Sequence, residues 1–118
     1  PRDDGLRVEG VDNLFCAGEK AGLLVGHTEA ICTGALAGYN AVGLLDQAPA
    51  LELPDTLAIG DAIRHVRVQM REKGELGQKF TFSGSVYFER MQARGLYSTD
   101  TDDIAQRVAA AGLEGVFA

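Results

Sequence analysis

The spacing of hydrophobic and polar residues predicts two kinds of structure in the first half of the chain. Residues 14–17, Leu-Phe-Cys-Ala, form a short apolar run after a turn-like Val-Asp-Asn, which predicts a buried strand. Glycines then recur at Gly18, Gly22 and Gly26, so we expect residues 19–27 to form an irregular loop. A helix follows over residues 28–45, with Thr28 as its N-cap and Glu29 in its first turn.

That helix carries two glycines four residues apart, Gly34 and Gly38. Each glycine costs a helix about 1 kcal/mol relative to alanine. We therefore expect another part of the protein to pack tightly against this face.

The second half of the chain has the apolar spacing of amphipathic helices. Over residues 54–73 an apolar residue recurs at helical intervals, and we expect this stripe to face the core: Ile59, Ile63, Val66 and Met70. Further helices are predicted over residues 85–94 and 100–111, the last with Ile104, Val108 and Ala111 turned inward. Residues 77–83 read as irregular or weakly extended.

These elements predict a mainly α fold with a short β segment. The prolines Pro49 and Pro54 mark residues 47–53 as a linker. Residues 1–46 then form one part, and residues 54–118 form a small helical C-terminal domain.

Composition narrows the class of protein. The chain has 118 residues, 46% of them hydrophobic, which suits one globular domain. No apolar run approaches the ~20 residues of a membrane span, so we expect no membrane association. Cys16 and Cys32 make neither a disulfide framework nor a metal site, which favours the reducing cytoplasm. The opening at Pro1, without methionine, suggests a piece of a longer protein.

Charge is unevenly distributed along the chain. The formal net charge is -6, which argues against a protein that wraps nucleic acid. Residues 64–94 nevertheless hold seven basic and three acidic residues, a local net charge of +4. Arg64, Arg67 and Arg71 lie on the side of their helix opposite the apolar stripe. Such a face is most often simply solvated, and the alternative is a docking surface for tRNA or a protein partner.

Residues 13–41 carry the candidate chemistry. A strand that ends in Ala-Gly leads into an acidic residue, a glycine-rich loop and a capped helix. Glycine allows the main chain to approach a flat ligand closely. The unpaired N–H groups at a helix start attract an anion or an electron-rich carbonyl. No group of His, Cys, Asp or Glu has metal-ligand spacing, so we expect no metal.

This block resembles the C-terminal flavin-contacting segment of FAD enzymes with two dinucleotide-binding domains. More narrowly, it is similar to the glucose-inhibited division protein A family of tRNA uridine-modifying flavoproteins and their relatives. The matching residues keep one order over almost thirty positions: Phe15, Ala17, Gly18, Gly22, Gly26, Glu29, Gly34, Ala37, Gly38, Asn40 and Ala41. Glu19 stands where the family usually has glutamine, and His27 where it usually has tyrosine.

The resemblance implies that residues 1–46 are the C-terminal segment of an FAD-binding domain in an FAD-dependent oxidoreductase. The residues that would contact the cofactor are then Gly18, Glu19, Gly22, Gly26, His27, Thr28 and Glu29. It implies main-chain N–H groups at the helix start that face the flavin C2 carbonyl, and Glu19 on the ribityl or pyrophosphate side. His27 suits an ordinary surface position equally well.

The chain has no Gly-x-Gly-x-x-Gly after a strand, so the pyrophosphate cradle of a Rossmann unit is absent from its sequence. We therefore expect these 118 residues alone to bind FAD weakly or not at all, to hold no catalytic residue, and to self-associate through the exposed helix 28–45. The second hypothesis is a helical interaction module, with no catalysis of its own, that docks a protein or tRNA.

Overall fold

The computed structural model describes residues 2–21, 24–73 and 80–118, and of Lys20, Lys73 and Ser85 only the backbone. A short 3-10 helix, Gly18–Ala21, precedes four α-helices: α1, His27–Leu45; α2, Ala58–Lys73; α3, Ser85–Ala93; and α4, Thr101–Ala110. Within the described residues, β-pairing takes the form of three isolated bridges, Arg2 with Val8, Arg7 with Phe15, and Leu24 with Phe80. The prediction of a mainly α fold with a short β segment is confirmed.

The predicted buried strand over residues 14–17 is wrong in its extent and burial. Only Phe15 of this run forms a bridge, and the side chain of Leu14 is 51% exposed. The run pairs with the N-terminal segment, where the Cys16 N–H donates to the Leu6 carbonyl. Leu6 has a φ of 70°, outside the extended range, so the N-terminal segment cannot continue as a pairing strand.

Helix α1 turns a narrow stripe toward the core. The buried side chains Thr33, Leu36, Ala37 and Asn40 follow helical spacing on one side. The tight packing expected at Gly34 and Gly38 is wrong for the described residues, because no other atom lies within 4 Å of a Cβ built at either glycine. That face points away from the core and also carries Ile31, which is 72% exposed.

Helix α2 begins at Ala58, four residues later than predicted, because residues 55–57 form a turn in which the Leu57 N–H donates to the Pro54 carbonyl. The backbone of Gly60 packs directly against the backbone of Leu53 and Pro54 at this turn. A Cβ there would lie 2.7 Å from the Leu53 carbonyl oxygen, so a side chain would force the two segments apart. The predicted inward stripe is confirmed, with Ile63 and Val66 fully buried and Ile59 and Met70 packed against the core.

Helices α3 and α4 lie within one residue of their predicted limits. Gly95, at a φ of 68°, follows the C-cap of α3, and the Asp100 carboxylate accepts from the N–H groups of Asp102 and Asp103 at the start of α4. The expectation that Ile104 faces inward is wrong, because its side chain is 42% exposed at the edge of an open groove beside Leu96.

One hydrophobic cluster joins the two halves of the chain. Its members come from the N-terminal segment, α1, α2, the bridge at Phe80, and α3: Leu6, Ala21, Leu24, Leu36, Ala37, Ala62, Ile63, Val66, Phe80, Tyr87 and Met91. The boundary at residues 47–53 stays a prediction. The shared core places the loop before α1 directly beside the second half of the chain.

Candidate functional site

The start of α1 is built on Gly26. This residue is the N-cap, with a φ of 120° and a ψ of 157°, a backbone conformation that L side chains rarely adopt. A Cβ at Gly26 would collide with the Glu29 carboxylate and lie 3.2 Å from the Thr81 hydroxyl. The prediction that Thr28 is the N-cap is therefore wrong. The glycine is needed because the carboxylate folds back over the helix start.

The first turn of α1 contains backbone donors that have no acceptor among the described residues. The N–H groups of His27, Thr28 and Glu29 make no hydrogen bond to any part of the chain that the structure describes, and Ala30 is the first to donate, to the Gly26 carbonyl. The side chains of His27 and Thr28 are exposed. These donors can bind a carbonyl or another electron-rich oxygen, so the residues present fit the flavin edge that the resemblance implies.

Glu29 occupies a different position from the other predicted site residues. Its side chain is only 3% exposed, and its Oε2 accepts a hydrogen bond of 2.7 Å from the Thr81 hydroxyl. This carboxylate is turned into the protein. In this structure it shapes the helix start, while the exposed face belongs to His27 and Thr28.

Gly18 is fixed to α1 from the other side of the loop. Its N–H donates to the hydroxyl of Thr33 across 2.8 Å, and that hydroxyl donates to the Glu29 carbonyl. Residues 19–21, expected to belong to the irregular loop over 19–27, instead lie in the 3-10 helix Gly18–Ala21, and Glu19 is exposed on it. Gly22 lies outside the described residues.

Arg2 is buried and links separate segments of the chain, a role that the sequence did not predict. Its side chain is 2% exposed, and its guanidinium donates to the Ala21 carbonyl at 2.6 Å and to the Ile63 carbonyl at 2.9 Å. Burial lowers the pKa of Arg2 to about 10, which still leaves it charged at neutral pH. Arg2 therefore ties the end of the 3-10 helix to α2.

Asn40 supports the far end of α1. Its amide donates to the carbonyls of Gly5 and Leu51 at 2.9 Å each and accepts from the Leu51 N–H at 2.7 Å. Asn40 was one of the residues matching the family pattern, and a polar residue within the inward stripe was the signal for this role. Thr33 carried the same signal, whereas nothing in the local pattern indicated Arg2 or Thr81.

The three arginines proposed for docking do not form one open face. Arg67 makes a two-point ion pair with Asp4, at 2.6 and 3.1 Å, and Arg71 pairs with Glu9. Only Arg64 turns to another region, where it lies 3.2 Å from Asp55. Helix α2 thus uses two of its arginines to hold the acidic N-terminal segment.

The cysteines are half-buried and free. Burial raises the pKa of both thiols, to which the charge of Glu29 adds at Cys32, so both are protonated at neutral pH. Among the described residues, no group of three or more His, Cys, Asp or Glu is placed to hold a metal ion. No helix in the described ranges is both long and apolar enough to cross a membrane.

Residues 2–49 match the model of a protein family described as glucose inhibited division protein A. The match includes the 3-10 helix, the loop and all of α1. No curated protein and no solved structure gives a significant match to the chain.

Proposed function

We propose that this chain, whose residues 2–49 match the model of the glucose inhibited division protein A family, supplies the loop and helix that cover the flavin of an FAD-dependent oxidoreductase. The family match supports a segment related to flavin-dependent oxidoreductases. The finer assignment, that the start of α1 contacts the flavin ring, rests on the N–H groups of His27 and Thr28, two exposed residues whose N–H groups make no hydrogen bond among the described residues.

FAD, when bound, supplies hydride transfer through its ring. The chain's own contribution is binding and electrostatics. We propose that the amides of His27 and Thr28 donate to a carbonyl of the ring, which stabilises negative charge there. Gly26 holds the turn that presents them, and Thr33 fixes the 3-10 helix beside it. We propose that Glu19, exposed on that helix, binds hydroxyl groups of the cofactor's ribityl chain.

The single observation that carries this proposal is the coincidence of the family match with the Gly26 turn, whose φ of 120° a residue with a side chain rarely adopts. The experiment measures flavin content in the protein encoded by the complete reading frame that contains these residues. We expect stoichiometric flavin absorbance in the wild type and its loss in Gly26→Ala. Gly34→Ala is the matched control, because a Cβ there contacts nothing among the described residues.

Two results would contradict the proposal. The complete protein could purify without flavin even when FAD is added, or Gly26→Ala could retain it as well as Gly34→Ala. For the 118-residue chain alone we expect weak FAD binding or none, since the Rossmann cradle is missing from its sequence.

We also propose that the complete protein acts in the cytoplasm on tRNA uridines, as the family resemblance implies. Mass spectrometry of modified uridines in tRNA, from cells with and without the gene, tests this assignment. An unchanged uridine profile would leave a flavoprotein with another substrate.

The alternative, a helical docking module without catalysis, remains for residues 54–118. The ion pairs of Arg67 with Asp4 and Arg71 with Glu9 weigh against docking through those two residues, because RNA would have to displace both carboxylates. Arg64 is the most exposed of the three arginines, at 58%, although it too pairs with a carboxylate, that of Asp55.

A further inference from the structure

A polar cavity of about 340 Å³ lies between α2 and α3, away from the start of α1. Three guanidinium groups line it, those of Arg64 on α2 and of Arg90 and Arg94 at the end of α3. His65 and Gln69 of α2 lie in the same wall. Two carboxylates, Asp55 and Asp61, complete the charged lining among the described residues.

Arg90 is held in place by its hydrogen bonds to Asp61. It donates through two nitrogens to Asp61, at 2.9 Å each, and the Tyr87 hydroxyl donates to the same carboxylate at 2.7 Å. Asp61 is only 2% exposed. This buried, fully hydrogen-bonded group fixes α3 against α2 and forms the floor of the cavity.

Within the described ranges, Arg94 shares both of its neighbouring carboxylates with other arginines. Its Nε lies 3.4 Å from Asp61, which Arg90 already engages, and its Nη2 lies 3.9 Å from Asp55. Both contacts are longer than a charge-assisted hydrogen bond. The Arg94 side chain is 45% exposed, so its guanidinium is available at the mouth of the cavity.

The Oδ2 of Asp55 sits between two guanidiniums, 3.2 Å from Arg64 and 3.9 Å from Arg94. Asp55 is 40% exposed and lies in the turn before α2, so the carboxylate can move aside. An anionic oxygen of a ligand in place of this carboxylate oxygen would lie between the same two guanidiniums.

The charges around the cavity do not cancel. Three guanidiniums face two carboxylates, which leaves one positive charge among the described lining residues of a chain whose net charge is -6. Two arginines on separate helices suit a tetrahedral anion, because its oxygens point in several directions, whereas a carboxylate offers two oxygens in one plane.

We propose that this cavity binds a phosphate monoester or inorganic phosphate, with Arg64 and Arg94 as its direct ligands and Arg90 as a positioning residue held by Asp61. The concave shape favours a small phosphate over the extended backbone of a nucleic acid. The site does not depend on flavin binding.

The test titrates inorganic phosphate into the 118-residue chain by isothermal calorimetry at constant ionic strength with chloride. We expect saturable binding that is about tenfold weaker in Arg94→Gln and in Arg64→Gln, because each loses a charged donor. Arg71→Gln is the matched control, since it removes the same charge from α2 outside the cavity. We expect its affinity to equal that of the wild type.

Asp55→Asn gives a readout that a merely structural role would not move. Removing the competing carboxylate should tighten phosphate binding several-fold. Absence of saturable binding, equal weakening in Arg71→Gln, or weaker binding in Asp55→Asn would each overturn the proposal. Displacement of phosphate by an RNA oligonucleotide without terminal phosphates would also overturn it, in favour of a backbone-binding surface.

Discussion

The hydroxyl of Thr81 donates a hydrogen bond of 2.7 Å to the Oε2 of Glu29, 52 residues earlier in the chain. Glu29 belongs to the first turn of α1, and Thr81 follows Phe80, whose carbonyl accepts from the Val25 N–H at 2.9 Å. The second half of the chain therefore holds the helix start that we propose as a flavin contact. We therefore expect a substitution of Thr81 to disturb the start of α1.

Replacing Thr81 by valine keeps the shape of the side chain but removes the donor to a buried carboxylate. We expect Thr81→Val to lower the free energy of unfolding by about 1–3 kcal/mol, the range for a buried polar group left without its partner. Urea denaturation measures the loss. Thr81→Ser is the control, because it keeps the hydroxyl, and equal stability of the two variants would show that the bond contributes nothing.

Asn40 makes three hydrogen bonds with one amide, to segments before and after α1. We expect Asn40→Ala to cost about 2–3 kcal/mol and to speed amide hydrogen exchange at Leu51, whose N–H loses its acceptor. Gln92→Ala, an exposed amide on α3, is the matched control. Unchanged exchange at Leu51 would contradict the role assigned to Asn40.

The helical pattern predicted much of this fold because its causes are local. The stripe containing Ile63 and Val66 follows from a period of 3.6 residues, and Gly95 ends α3 because glycine readily adopts a positive φ. The position of the α1 start could be predicted to within one residue for the same reason.

What the sequence did not reveal are relationships between distant residues. Arg67 was expected to be solvated or to dock a partner, yet it pairs with Asp4, 63 residues away. Such a pairing depends on the tertiary fold, which no local spacing encodes. The N-cap was missed for a related reason: Thr28 is a better capping residue than Gly26 in isolation, but a glycine is required where the Glu29 carboxylate folds over the turn.

The carboxylate of Asp61 makes the free energy of unfolding depend on pH. Burial tends to raise its pKa, but hydrogen bonds from Arg90 and Tyr87 outweigh this and hold the pKa below its ordinary value of 3.8. A carboxylate whose pKa is depressed by folding stabilises the protein fully above its unfolded pKa, and this stability is lost as the pH falls through the folded value.

We therefore expect the wild type to lose stability as the pH drops below about 4. Asp61→Asn should be less stable at pH 7, by on the order of 2 kcal/mol, and should show a shallower acid dependence. Denaturation midpoints measured from neutral pH down to the acid transition test both effects. An identical pH slope in the variant and the wild type would show that Asp61 is not responsible.

Because Arg67 pairs with Asp4, a substitution of Arg67 can distinguish a role in stability from a role in binding tRNA. Its hydrogen bond to Asp4 raises the pKa of Arg67, so Arg67 keeps its charge throughout the neutral pH range. We expect Arg67→Ala to lower the free energy of unfolding by about 1 kcal/mol or more, with little change in the salt-dependent affinity for tRNA. A tenfold loss of tRNA affinity without a loss of stability would instead support the docking surface.

Helix α1 exposes large apolar side chains that a single copy of the chain does not cover. Ile31, Val42 and Leu45 are 72%, 63% and 84% exposed, and Gly34 and Gly38 lie on the same side, where no described residue comes within 4 Å of a Cβ built on either. Exposed apolar surface of this kind favours association. We expect the 118-residue chain to form a larger species whose population rises with concentration in the micromolar range.

Sedimentation velocity measures this association directly. Val42→Lys should shift the population toward the monomer, because a charge on the apolar face opposes its burial in any partner. Val86→Lys is the control, since Val86 is 51% exposed on α3, away from this face. If both lysine variants shift the equilibrium equally, added net charge rather than the α1 face controls association. A monomeric wild type at every concentration would instead show that the exposed face of α1 does not bind a second copy.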